Sequence, residues 1–155
     1  MTREIILTQS KIALVDDDDY EKVWNYRWRL MATKKFLYAG NAELGFLHRY
    51  IMKCPSGLCV DHINHNGLDN RKENLRICTY LQNRMNSKSS NKNGYKGICY
   101  YSKIKKYSAK ICINHKNYYL GVFSTKEEAA DAYNQKAIEL YGEYACLNVI
   151  NIPNS

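Results

Sequence analysis

The stretch VDHINHNGLDNRKENLR, residues 60–76, sets the reading of the whole chain. Asp61 and His62 are adjacent, and five further Asn or Asp residues follow: Asn64, Asn66, Asp69, Asn70 and Asn74. Residues 58–63 read as a strand, and Leu75-Arg76-Ile77-Cys78 as another. Neighbouring side chains on a strand point to opposite faces. Asp61 and His62 can therefore serve one site only where the strand ends, and the Asn- and Gly-rich loop after them supplies that end. Thr79 can cap a helix that runs to about Asn86.

Working outward, residues 4–8 and 11–15 alternate as a hairpin joined at Gln9-Ser10. The run Asp16-Asp17-Asp18-Asp19 invites a metal reading, but it also suits the first turn of a helix from Asp17 to about Tyr26, where the dipole favours negative charge. Residues 27–33 and 36–41 form a second alternating pair with Lys34-Lys35 at the turn, and residues 46–53 fit either a strand end or a short helix. Residues 87–93 contain no apolar side chain and read as a linker. Beyond it come strand candidates at 95–102, 107–114 and 117–124. Thr125 and Glu128 make a capping box for a helix over 129–141, which puts Ala129, Ala130, Tyr133, Ala137 and Tyr141 on one side. Ile98, Ala109, Ile111, Leu120 and Phe123 are the expected core beneath it. The expected class is α+β: a β-rich start leading into a strand–strand–helix unit, then a three-stranded antiparallel sheet packed on one helix. The expected domains are 1–86 and 95–155, with a linker at 87–94.

Composition narrows the function. The 155 residues are 45% hydrophobic, and no apolar run approaches the roughly 18 residues of a membrane span. The N-terminus has no secretory pattern, so a cytoplasmic protein with reduced thiols is expected. Six cysteines raise the question of zinc, but Cys54 and Cys59 have no second pair at finger-like spacing. The net charge is +8, and between Glu73 and Glu127 there is no acidic residue but eleven Lys and Arg, interleaved with tyrosines. That pattern points to a polyanion, with a merely basic surface as the alternative.

Phosphodiester hydrolysis needs a proton acceptor near neutral pH and a cation against developing phosphate charge. Asp61-His62, Asn70-Arg71, Glu73-Asn74-Leu75 and Asn83 resemble the HNH nuclease signature, and specifically its phage homing-endonuclease branch, where the last His of the name is an Asn. The resemblance implies a ββα-metal unit. It would make His62 the general base, Asp61 and Asn83 the ligands of one divalent cation, Mg²⁺ or Mn²⁺, and Asn74 the residue orienting the imidazole. With one neutral ligand, metal binding should be weak. Arg49 and Arg71 are candidate contacts to the DNA backbone. His48 either helps Arg49 place a phosphate or packs, and Asn70 is expected to brace the loop. His65 is expected to be an exposed loop residue, and Asp69 a less suitable third ligand.

The second half is similar to the DNA-binding domain of plant ethylene-response factors. The likeness rests on Tyr95-Lys96-Gly97, Tyr119-Leu120-Gly121-Val122-Phe123, Glu127-Glu128-Ala129-Ala130-Asp131-Ala132-Tyr133 and Leu147-Asn148. It implies a sheet laid in the major groove of double-stranded DNA. The Arg and Trp positions of that family hold other residues here, so its sequence preference does not carry over. Lys96, Lys103, Tyr107, Lys110 and Tyr119 are the expected contacts.

The expected function is a metal-dependent DNA endonuclease that nicks one strand. It would act as a monomer or weak dimer in a bacterial or phage-infected cell, with no membrane and no small-molecule organic cofactor. The competing reading is a non-catalytic, sequence-specific DNA-binding regulator with a decayed nuclease domain. Metal-dependent cleavage separates the two.

Overall fold

The structure is a computed structural model that describes residues 1–33, 35–89 and 94–150. It holds two compact units, Met1–Asn83 and Arg84–Ser155. The expected α+β class holds, with several antiparallel sheets and few helices. Residues 90–93 of the expected linker, Lys34 of the expected turn and residues 151–155 lie outside the described residues.

In the first unit β1 (Thr2–Ile6) and β2 (Ile12–Asp16) pair antiparallel, with Ile5 opposite Ala13. The chain turns through a 3-10 segment, Thr8–Ser10, where Gln9 and Ser10 take positive φ. The helix α1 (Asp17–Val23) follows at once and carries Asp17, Asp18 and Asp19 in its first turn. It stops short of Tyr26; Trp28 turns back and its indole N–H donates to the Val23 carbonyl at 2.9 Å. Asp19 is buried and paired with Lys22 (2.7 Å) and Lys72 (2.8 Å). Burial raises its pKa, but the two ammonium groups outweigh that and hold it below the usual carboxylate value.

Next come β3 (Arg29–Ala32), β4 (Leu37–Asn41) and the short β5 (Gly45–Phe46), hydrogen-bonded in that order, and then α2 (Leu47–Ile51). Residues 46–53 thus contain both a strand end and a short helix. One core joins these pieces: Ile5, Leu7, Ala13, Val15, Val23, Trp28, Ala39, Leu47 and Ile51.

The opening stretch hangs on a hairpin. β6 (Cys59–His62) pairs antiparallel with β7 (Leu75–Cys78), and α3 (Tyr80–Met85) follows. The loop between the strands is tied down by its own side chains. Asn64 Oδ1 accepts from Asn66 N (2.8 Å), and Asn66 Oδ1 accepts from Leu68 N (3.1 Å). Its backbone also docks on the edge of β2, with Leu14 N donating to Leu68 O and Asn70 N donating to Leu14 O, both at 2.8 Å. Gly67 sits where a Cβ would collide with the Leu37 carbonyl and the Tyr38 ring, so β4 can approach the loop only at a glycine.

The second unit has β8 (Ile98–Tyr101), β9 (Lys106–Ile113) and β10 (Lys116–Phe123) in an antiparallel sheet with β9 central. Asn114 and His115, both at positive φ, make the turn between β9 and β10. The helix α4 (Lys126–Tyr141) starts at the Thr125/Glu128 capping box. Its Ala129, Tyr133, Ala137 and Tyr141 pack on Ile98, Ala109 and Ile111, with Leu120 and Phe123 partly buried beside them. Asn148 closes the unit: its amide accepts from Lys96 N (2.6 Å) and donates to Lys96 O (3.1 Å). No helix among the described residues is long and apolar enough to cross a membrane.

Candidate active site

The end of β6 carries Asp61 and His62, and all four residues of that strand are buried. Strand register puts Asp61 opposite Arg76 and His62 opposite Leu75. Arg76 grips Asp61 from across the hairpin: its Nε (2.9 Å) and Nη2 (2.7 Å) both donate to Asp61 Oδ2. The side chains of this pair are only 13% and 5% exposed, so the bond is held away from water.

His62 lies in an aromatic and polar box. Its Nε2 stands 3.5 Å from Asn70 Oδ1, a long contact. Tyr38 packs at 5.8 Å between ring centroids, and His48 meets it edge-on at 4.9 Å. Phe46 stacks on His48 at 5.4 Å. Burial lowers the pKa of His62; Asn70 and the carboxylates of Asp61 and Asp69 oppose that without reversing it, so the imidazole is held neutral below its ordinary range. Burial also pushes His48 down, to about 3, with His62 and Arg49 adding to the effect. His48 Nδ1 is buried without a hydrogen-bond partner. Tyr38 is raised by burial and by the charge of Asp61.

The other expected residues are placed as follows. Asn74 is buried, but its side chain serves the loop: Oδ1 accepts from Asn64 N (2.9 Å) and Nδ2 donates to Asp69 O (2.8 Å). The side chain beside the imidazole is that of Asn70, not Asn74. Asn74 reaches the strand end through its backbone, accepting from Ile63 N at 2.9 Å. Asn83 is half-buried on α3, where its N–H bonds to Thr79 O at 3.0 Å. Asp69 is gripped by Arg71 through two bonds of 2.8 Å, and Asn64 adds a third. Those guanidinium bonds outweigh burial, which raises the Asp69 pKa, and hold it below the ordinary carboxylate value. Arg71 also pairs with Glu73 at 2.6 Å. Arg49 donates to Leu58 O (2.8 Å) and Pro55 O (3.4 Å). Both arginines thus brace the framework around the site.

In the second unit, register places Tyr119 opposite Lys110 on the open face of the sheet. Lys103 is exposed in the turn between β8 and β9. Tyr107 is on the other side, packed against the core under α4. The Lys96 ammonium donates to Met85 O at 2.6 Å, and burial lowers its pKa. Of the five expected contacts, three sit on open surface and two do not.

Arg76, Tyr38 and His48 are the site residues that reading the sequence left out or left open. Arg76 had a usable signal: once residues 62 and 75 are taken as the ends of a hairpin, 61 and 76 face each other with opposite charges.

A family model described as HNH endonuclease matches residues 52–85, which span β6, the loop, β7 and α3. An uncharacterized HNH endonuclease of Acanthamoeba polyphaga mimivirus is 38% identical over 148 residues, covering 90% of this chain and 75% of the viral protein. The chain belongs to the HNH endonuclease family. No solved structure matches it. As an HNH endonuclease it is an enzyme, a phosphodiester hydrolase acting on DNA.

Among the described residues no group of three or more His, Cys, Asp and Glu could hold a metal ion. Asp61 is a buried carboxylate and Asn83 a half-buried amide. Oxygen donors of this kind suit a magnesium-like ion that keeps several waters better than zinc.

Proposed function

We propose that the chain hydrolyses duplex DNA with His62 as the general base and one divalent cation, Mg²⁺ or Mn²⁺, held by Asp61 and Asn83. The observation that carries this is the strand end where a neutral, buried imidazole adjoins a buried carboxylate. A neutral imidazole can take a proton from water without first losing one. Held by Asp61 and Asn83, the ion would supply positive charge to the phosphate and leaving oxygen. Asn74 acts on the imidazole through the loop: it holds Asn64 and Asp69, and so fixes the path between His62 and Asn70.

One active site per chain gives one cut per binding event, so a nick with 5′-phosphate and 3′-hydroxyl ends is the product of a monomer. The second unit binds the duplex through the open face of its sheet, as the ethylene-response-factor likeness suggests. Lys110 and Tyr119 lie on that face and Lys103 in the turn between β8 and β9, and lysines favour phosphate over base contacts. We place the protein in the cytoplasm of a bacterial or phage-infected cell and in the homing branch of the family.

Incubation with supercoiled plasmid tests this reading. The expected product is open-circular DNA in Mg²⁺ or Mn²⁺ and none in EDTA. Binding with no metal-dependent cleavage would sink the proposal.

A further inference from the structure

We propose that Arg76 is a counter-ion switch that ties metal loading to DNA loading. The inference rests on the reading of Asp61 as a metal ligand.

Its basis is the ion pair across β6 and β7. Arg76 Nε and Nη2 both donate to one oxygen, Asp61 Oδ2, at 2.9 and 2.7 Å, with the two side chains largely out of water. A carboxylate so neutralised has lost much of its attraction for a second cation. A divalent ion brought to the same oxygen also meets the guanidinium charge at close range, in a setting where screening by solvent is weak. Arg76 and the ion therefore compete for Asp61.

DNA changes the balance. Phosphate is a bidentate acceptor for guanidinium and carries its own charge, so a backbone phosphate entering the site offers Arg76 a partner at least as good as Asp61. Released from Asp61, Arg76 leaves the carboxylate to the ion, and the phosphate oxygens complete the ion's shell. Metal and DNA thus each favour the other's binding, by the same factor in both directions. The metal-free protein is also spared a buried, uncompensated carboxylate, since Arg76 covers it.

The test is Mn²⁺ binding to the full chain without DNA, read from the loss of the free-ion EPR signal. Arg76→Gln is expected to bind Mn²⁺ about tenfold more tightly than wild type, within the usual range of such couplings. Arg76→Lys, which keeps the charge but not the paired donors, should fall between them. A gain in affinity is not what structural damage produces. In a His62→Ala background, which keeps the duplex intact, anisotropy of a labelled duplex should show Mn²⁺ tightening DNA binding. Adding Arg76→Gln should shrink that gain. If Asp61→Asn removes Mn²⁺ binding but neither Arg76 variant binds more tightly than wild type, the switch is wrong and the metal reading stands. If Asp61→Asn leaves Mn²⁺ binding unchanged, the underlying site reading fails and takes the switch with it.

Discussion

His48 and His62 stand edge to face, and burial lowers the pKa of both. For His48 the consequence reaches stability. Its pKa falls from 6.5 to about 3 in the folded protein. Between those values the unfolded chain binds a proton that the folded one does not, so stability drops as pH falls through this window and is full above it. His48→Phe keeps an aromatic ring beside Phe46 and removes the titration. Urea unfolding at pH 7 and at about pH 4.5 should show a smaller acid loss in the variant than in wild type; an equal loss would assign the acid sensitivity elsewhere. Asp61 and His62 were legible as a pair because their chemistry and the strand end are both local. Tyr38 and His48 were not, because they reach His62 through packing of β4 and α2, and no spacing rule encodes that approach.

At the scale of elements, the hairpin and its loop form one hydrogen-bonded device. A strand ending near residue 63 and another starting at 75 follow from alternation and from the polar run between them; the structure ends the first at His62. Which asparagine meets which partner depends on the path of the loop, and that path is set by its docking on β2. Asn70 and Asn74 are the same residue type four apart, and the sequence could not tell which would face the imidazole. Asn74→Ala removes the side-chain partners of Asn64 N, on an exposed residue, and of Asp69 O, and should cost about 1–3 kcal/mol for Asp69 O left buried without a partner. Urea denaturation measures it, and a loss below about 0.5 kcal/mol would show that the loop is held by its β2 contacts instead. Gly67→Ala should also destabilise, because its Cβ would meet the Leu37 carbonyl and the Tyr38 ring. A melting temperature equal to wild type would mean that β4 can give way.

For the whole molecule, one unit holds nearly all of the stretch that matches the HNH family and the other carries a basic, tyrosine-bearing sheet. The capping box, the apolar helix face and most of the core of the second unit were legible, since each is a local pattern. Tyr107 was misplaced because its side of the sheet depends on strand register, which puts it under α4. Replacing Lys103 and Lys110 together with Gln should weaken duplex binding and reduce the slope of log affinity against log salt by about two. An unchanged slope would move the phosphate contacts off this sheet. The central claim, that Asp61 and His62 form the hydrolytic centre, is tested most directly by single-turnover cleavage with the full chain carrying His62→Ala. The account predicts a rate at least about a hundredfold below wild type with duplex affinity retained. A folded variant cleaving within a few-fold of wild type would contradict it.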